Sequence, residues 1–116
     1  MPAIDHQTHI NATITCATVC EQCSQMCLKE GHEHSAITTR DCAQICWTTA
    51  AFLARDGTAL SSLCKLCAEI CDICAQACEM HDSEHHRQCV EACRACAKAC
   101  RDIDHVTPRT PSGERL

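Results

Sequence analysis

Fifteen cysteines in 116 residues fall into clusters whose internal gaps are always three or four residues. The clusters are Cys16, Cys20, Cys23 and Cys27; Cys42 and Cys46; Cys64, Cys67, Cys71, Cys74 and Cys78; and Cys89, Cys93, Cys96 and Cys100. Steps of three and four return a side chain to the same face of an α-helix. The chain must therefore build helices that each carry a stripe of thiols, which is a different thing from ligand pairs placed on loops.

The first and last clusters share the offsets 0, 4, 7 and 11, and the third repeats them from Cys67 with Cys64 added in front. The second cluster begins the same series and then has Thr49 and Leu53. These offsets are the a/d seam of a helical bundle. Alanine, glutamate, glutamine, lysine and arginine fill the positions between, which suits helix propensity. A first helix is expected from Asp5 or Thr8 to Glu30 with Gly31 as its stop, and a second from Ser35 or Thr38 to Asp56 with Gly57 as its stop. A third runs from near Ala59 to near His81, and a fourth from Asp82 or Ser83, either a possible N-cap, to near Ile103. The connections are short, so consecutive helices should run antiparallel. The predicted fold is all-α: an antiparallel up-down-up-down four-helix bundle with a cysteine-lined core. Residues 1–103 form this domain, and residues 104–116, with Pro108, Pro111 and Gly113, read as a flexible C-terminal tail.

Isoleucine, leucine, valine and phenylalanine together make up well under a fifth of the chain. Cysteine, which behaves as a small buried hydrophobe, and alanine must fill the interior. The net charge is -5 and aromatic residues are 2%, so neither nucleic acid nor an anionic membrane is an expected partner. The start, Met-Pro-Ala-Ile-Asp-His, has neither the basic segment nor the apolar run of a signal peptide, and no segment approaches a membrane span. A cytoplasmic location is expected. There, disulfides are disfavoured; the odd cysteine count and the awkward geometry of bridges within one helix weigh against them as well.

A column of thiols selects soft metals: Cu(I), Zn(II) or iron–sulfur clusters. Each four-thiolate Zn(II) site is a dianion, and several stacked in a dry core would repel one another. Cu(I) takes two or three thiolates, and with bridging sulfurs the column approaches neutrality. Many Cu(I) ions are therefore the expected cargo, in a storage or buffering role and not an enzymatic one. The alternatives are an iron–sulfur protein or a Zn(II) or general soft-metal binder. Iron–sulfur cysteines usually wrap a cluster from loops, with proline after one ligand, and no Cys-Pro occurs here. Antiparallel packing leads one to expect Cys27, Cys42, Cys78 and Cys89 in the outermost layer. Below it would lie Cys23, Cys46, Cys74 and Cys93, then Cys20, Thr49, Cys71 and Cys96, then Cys16, Leu53, Cys67 and Cys100, with Cys64 beyond.

The run from Leu63 through Cys64, Cys67, Cys71, Cys74 and Cys78 to His81, followed by His85 through Cys89, Cys93, Cys96 and Cys100, resembles the bacterial copper storage proteins. The resemblance extends over about residues 8–103. It implies a four-helix bundle filled with Cu(I), assembled as a homotetramer, and a cytosolic branch of the family that lacks a leader. Thr49 and Leu53 depart from a full set of thiols, which implies a lower capacity.

Histidines collect at one expected end of the bundle: His32, His34, His81, His85 and His86, with Met26 and Met80 nearby. His85 lies four residues before Cys89 and His81 three after Cys78, so these two extend the stripes and are the histidine ligand candidates at a port for copper. His32, His34 and His86 read equally well as loop or capping residues, and Met80 projects off the thiol face. Phe52, Leu53, Leu60 and Ile103 are expected to plug the other end, although His9, seven residues before Cys16, also falls on a stripe. Trp47 points away from the seam. A second stripe on the third helix, Leu63, Leu66, Ile70, Ile73 and Ala77, is expected to pack against its flanks, with self-association as the alternative use.

Overall fold

The computed structural model describes residues 6–106, with side chains through Ile103; the expected tail lies almost entirely outside the described residues. Four helices make up the chain: α1 (Gln7–Glu30), α2 (Glu33–Ala54), α3 (Leu60–Glu79) and α4 (Glu84–Val106). Each packs against two neighbours, in the cyclic order α1, α2, α3, α4 and back to α1. This is the up-down-up-down bundle that short connections demand.

The helix ends explain how tightly the chain turns. Gly31 adopts the left-handed conformation with φ 79°. The His32 amide donates to the Cys27 carbonyl at 2.9 Å and the Gly31 amide to that of Leu28 at 3.3 Å, closing a Schellman motif. The α2 terminus repeats this motif one residue earlier than expected. Asp56, not Gly57, takes the left-handed turn with φ 50°, and the Gly57 amide donates to Phe52 at 2.9 Å. Aspartate tolerates that region better than most residues. Gly57 is needed for space, because a Cβ there would stand 3.0 Å from the Phe52 ring. Helix α4 is capped at Ser83, whose Oγ accepts from the His86 amide at 3.4 Å.

The core is sulfur for most of its length. All fifteen cysteines are buried free thiols. Small alanines such as Ala17, Ala43, Ala68, Ala75 and Ala97 are buried beside them and let the helices approach. The largest fully buried side chains, Leu53, Leu60 and Ile103, close the end where α1 begins. Phe52 packs against that plug from its edge and carries the Arg55 guanidinium 4.7 Å above its ring. The second apolar stripe of α3 is divided. Ile70 packs against the core, while Leu66 and Ile73 remain exposed. Trp47 is also exposed, and its indole N–H donates to Glu21 at 3.1 Å. Among the described residues no helix is long and apolar enough to cross a membrane.

Candidate metal centre

The fifteen cysteines converge on the bundle axis, but in a register different from the expected layers. Cys16, expected beside Leu53, Cys67 and Cys100, lies 3.9 Å from Cys42 and 3.7 Å from Cys93. Cys42 also touches Cys71 at 3.7 Å, and Cys46 sits 3.8 Å from both Cys71 and Cys96. Cys20 reaches Cys89 at 3.8 Å and Cys93 at 3.7 Å, and Cys74 reaches Cys89 at 3.8 Å. The expectation assumed that the outermost cysteine of every helix marks the same height. The tight α1–α2 turn overrides that assumption. It brings Ser24 against α2, where its hydroxyl donates to the Ala36 carbonyl at 3.0 Å. The α2 seam runs back through Thr39 to Ser35, both buried, and these hydroxyls occupy the height that had been assigned to Cys42. The offsets 0, 4, 7 and 11 read from Ser35 would have revealed this. Thr13, also fully buried, extends the α1 seam in the same way.

Candidate ligand sets overlap along the column. One comprises Cys16, Cys20, Cys42 and Cys93; another Cys16, Cys46, Cys71 and Cys96; a third Cys20, Cys74, Cys89 and Cys93; a fourth Cys23, Cys78 and Cys89. Cys16, Cys20, Cys89 and Cys93 each belong to two sets. Sulfurs bound at about 2.3 Å to a common ion stand roughly 4 Å apart, so the spacing seen between thiols is already close to that of a loaded core. Cys64, Cys67, Cys78 and Cys100 are buried on the same axis.

At the other end of the column the ligands change from sulfur to nitrogen. Cys23, Cys27, His85 and His86 form one group. His85 Nδ1 lies 3.2 Å from Cys23 Sγ, and His86 Nε2 lies 3.3 Å from Cys27 Sγ. Each ring is held by its second nitrogen. His85 Nε2–H donates to the Glu30 carboxylate at 3.0 and 3.1 Å, and His86 Nδ1 is 2.6 Å from Ser83 Oγ. A carboxylate on the remote nitrogen is the usual way to fix the tautomer of a ligating imidazole. His81 sits differently. Its Nε2 is 3.1 Å from Ser35 Oγ, and its ring stacks on His86 at 4.4 Å and lies 4.0 Å from His32. His86, which the sequence leaves open between a port residue and a loop or capping residue, is only 1% exposed; its position three residues before Cys89 was the available signal. His34 is exposed, and Met26 and Met80 face solvent.

Ionisation in the column is shared. Hydrogen bonds from neighbouring thiols, Cys20 first, hold Cys16 down at about 7. The same kind of donation, led by Cys16 at Cys42, Cys100 at Cys67 and Cys20 at Cys89, pulls those three well below the ordinary thiol range. Cys20, Cys71 and Cys93 are pushed up, in each case chiefly by their hydrogen bond to Cys16. Without a cation only a subset of touching sulfurs can carry charge, because adjacent thiolates repel. Burial, followed by repulsion from His85 and His81, lowers His86 to about 4. The ring is therefore neutral near pH 7, the form that binds metal.

A sequence model described as "Csp: Copper storage protein" matches residues 3–105. A cysteine-rich protein of Bacillus subtilis strain 168, YhjQ, is 35% identical over 80 residues, covering 66% of this chain and 74% of its own. Among solved structures, the Cu(I)-bound copper storage protein BsCsp3 superposes with a TM-score of 0.82 at 32% identity, covering 85% of this chain and 97% of that one. Apo copper storage protein 3 from Bacillus subtilis gives a TM-score of 0.81 at 33% identity, with 86% and 99% covered. With its fold, its thiol column and these relatives in agreement, the chain belongs to the copper storage protein family.

Proposed function

We propose that this chain stores and buffers several Cu(I) ions in the cytosol, as thiolate clusters along the bundle axis. The ligands are Cys16, Cys20, Cys23, Cys27, Cys42, Cys46, Cys64, Cys67, Cys71, Cys74, Cys78, Cys89, Cys93, Cys96 and Cys100. His81 and His85 serve the mouth, joined there by His86. The carrying observation is that neighbouring ligand sets share sulfurs. Shared thiolates suit Cu(I), whose bridged clusters approach neutrality, whereas each four-thiolate Zn(II) site is a dianion that would repel its neighbours in a dry core. Copper in the solved relative BsCsp3 supports the same reading.

The chain assembles as a homotetramer through its exposed apolar side chains. Leu28, Ile37, Leu66 and Ile73 are each about half exposed, a large apolar presence for so small a surface. Sedimentation of the reduced protein tests this: a monomer at micromolar concentration overturns it.

Anaerobic titration of the reduced chain with Cu(I), against a competing chelator, tests the storage role. Tight uptake approaching the thiol count is expected. Tight uptake of only two or three ions, or displacement of bound Cu(I) by Zn(II), overturns it.

A further inference from the structure

The end remote from the histidine cluster holds a second arrangement that thiol storage does not use. His6 is 6% exposed, and its Nε2 lies 3.3 Å from the Asp56 carboxylate. That bond requires the proton of the neutral ring on Nε2 and leaves a lone pair on Nδ1. His6 Nδ1 is buried with no hydrogen-bond partner, and so is His9 Nδ1. A buried polar atom without a partner costs about 1–3 kcal/mol and calls for a physical reason such as a missing ion. The two histidines are three residues apart at the start of α1, on one face. Their ring centroids are 6.4 Å apart with planes at 78°. Two imidazoles that each hold one ion at about 2 Å, from nearly opposite sides, have centroids roughly 6 Å apart.

We propose that His6 and His9 bind one metal ion between their Nδ1 atoms, as a thiol-free, two-coordinate Cu(I) site at the hydrophobically closed end of the bundle. The choice of metal rests on the Cu(I) reading above and on ligand number. Imidazole suits both copper and zinc, but Zn(II) demands four ligands, while Cu(I) is satisfied by two. Asp56 orients His6 through the remote nitrogen and supplies the countercharge for a monovalent ion, the arrangement Glu30 makes with His85 at the other end. The site is separate from the thiol column in chemistry, because the large buried side chains at this end, Leu53, Leu60 and Ile103, are hydrocarbon.

The test uses the full chain, reduced and labelled with ¹⁵N-histidine, titrated anaerobically with Cu(I) alone. Thiolate-to-copper absorbance follows the column, and histidine nitrogen spectra follow the imidazoles. The expected result is a joint displacement of the His6 and His9 Nδ1 resonances that accounts for one equivalent of Cu(I) bound beyond the thiolate plateau. His6→Gln or His9→Gln abolishes the displacement at the remaining partner and removes one equivalent from the total, with the thiolate plateau unchanged. Nδ1 resonances that stay in place through excess Cu(I) while the thiolate plateau is reached overturn the site, whether or not either variant folds. A displacement by Zn(II) but not Cu(I) overturns the metal assignment. A displacement without any thiolate plateau sinks the storage reading and leaves this one standing.

Discussion

The two ends of this bundle are built from the same seam and finished in opposite ways. At the α1–α2 turn the seam passes from cysteine to histidine and hydroxyl: Cys23 and Cys27 meet His85 and His86, and Ser35 meets His81. At the other end it passes chiefly to hydrocarbon, with Leu53, Leu60 and Ile103 fully buried beside the hydroxyls of Thr13 and Thr49. A soft monovalent ion finds exchangeable ligands at the first end and none continuous with the column at the second. The comparison shows how a bundle with a nearly uniform core acquires a direction. On the proposed reading the thiols hold the cargo, and the residues that cap the column set where it enters.

The largest expected effect separates the ends by stability. Leu53→Ala leaves a cavity in the hydrocarbon plug that Leu53 forms with Leu60 and Ile103, and should cost about 2–5 kcal/mol of apo stability. Urea melts of the reduced protein read this out, and Cu(I) loading should recover much of the loss, because an ion bound only by the folded state stabilises it. A loss below about 1 kcal/mol would mean that the plug is not a structural anchor.

The histidine end should instead give the apo protein a pH dependence. His86 is lowered to about 4 from the ordinary 6.5, chiefly by burial. Between those values the unfolded chain binds a proton that the folded chain refuses. The contribution is complete above pH 6.5 and is lost as pH falls towards 4, amounting to about 3 kcal/mol. Urea midpoints of the reduced apo protein should fall over that window, and His86→Gln should flatten the slope. An unchanged slope in the variant would show that another group carries it.

Kinetics sharpen the contrast further. His85→Ala combined with His86→Ala should slow Cu(I) uptake on the order of 100-fold, the upper range for disturbing a metal site, while capacity changes by at most the ions held there. Stopped-flow absorbance of the thiolate bands measures the rate. Leu53→Ala, at the closed end, should leave that rate within about twofold; if it accelerates uptake, copper enters by both ends. Glu30→Gln is the smallest of the four effects. It keeps a hydrogen-bonding group beside His85 but removes the charge, and should weaken the mouth site about tenfold. The same titration, read at the histidine nitrogens, separates this positioning role from a loss of fold.

Much of the architecture is legible in the sequence. Gaps of three and four at Cys16–Cys27 and Cys89–Cys100 admit only a helix with one sulfur face, and short connections leave few ways to pack four of them. The choice of Cu(I) followed from charge, since touching thiolates need a monovalent partner that they can share. Less legible were the layers, because height along a bundle is set by how tightly each turn closes, and the Gly31 turn placed Ser35 and Thr39 where Cys42 had been expected. The sequence leaves His86 open between port and cap for a related reason. A histidine at a helix start reads as a capping or loop residue until burial and the Cys27 contact are known.

The sequence by itself thus determined which atoms line the core, how many helices carry them and which class of ion they favour, because periodicity and ligand chemistry are local properties. Only the tertiary structure decided which sulfurs stand within reach of a common ion, which histidines reach the thiols and how the Nδ1 atoms of His6 and His9 come to be buried without partners near Asp56. Those are properties of register between helices, fixed by turns and caps far along the chain from the residues they bring together.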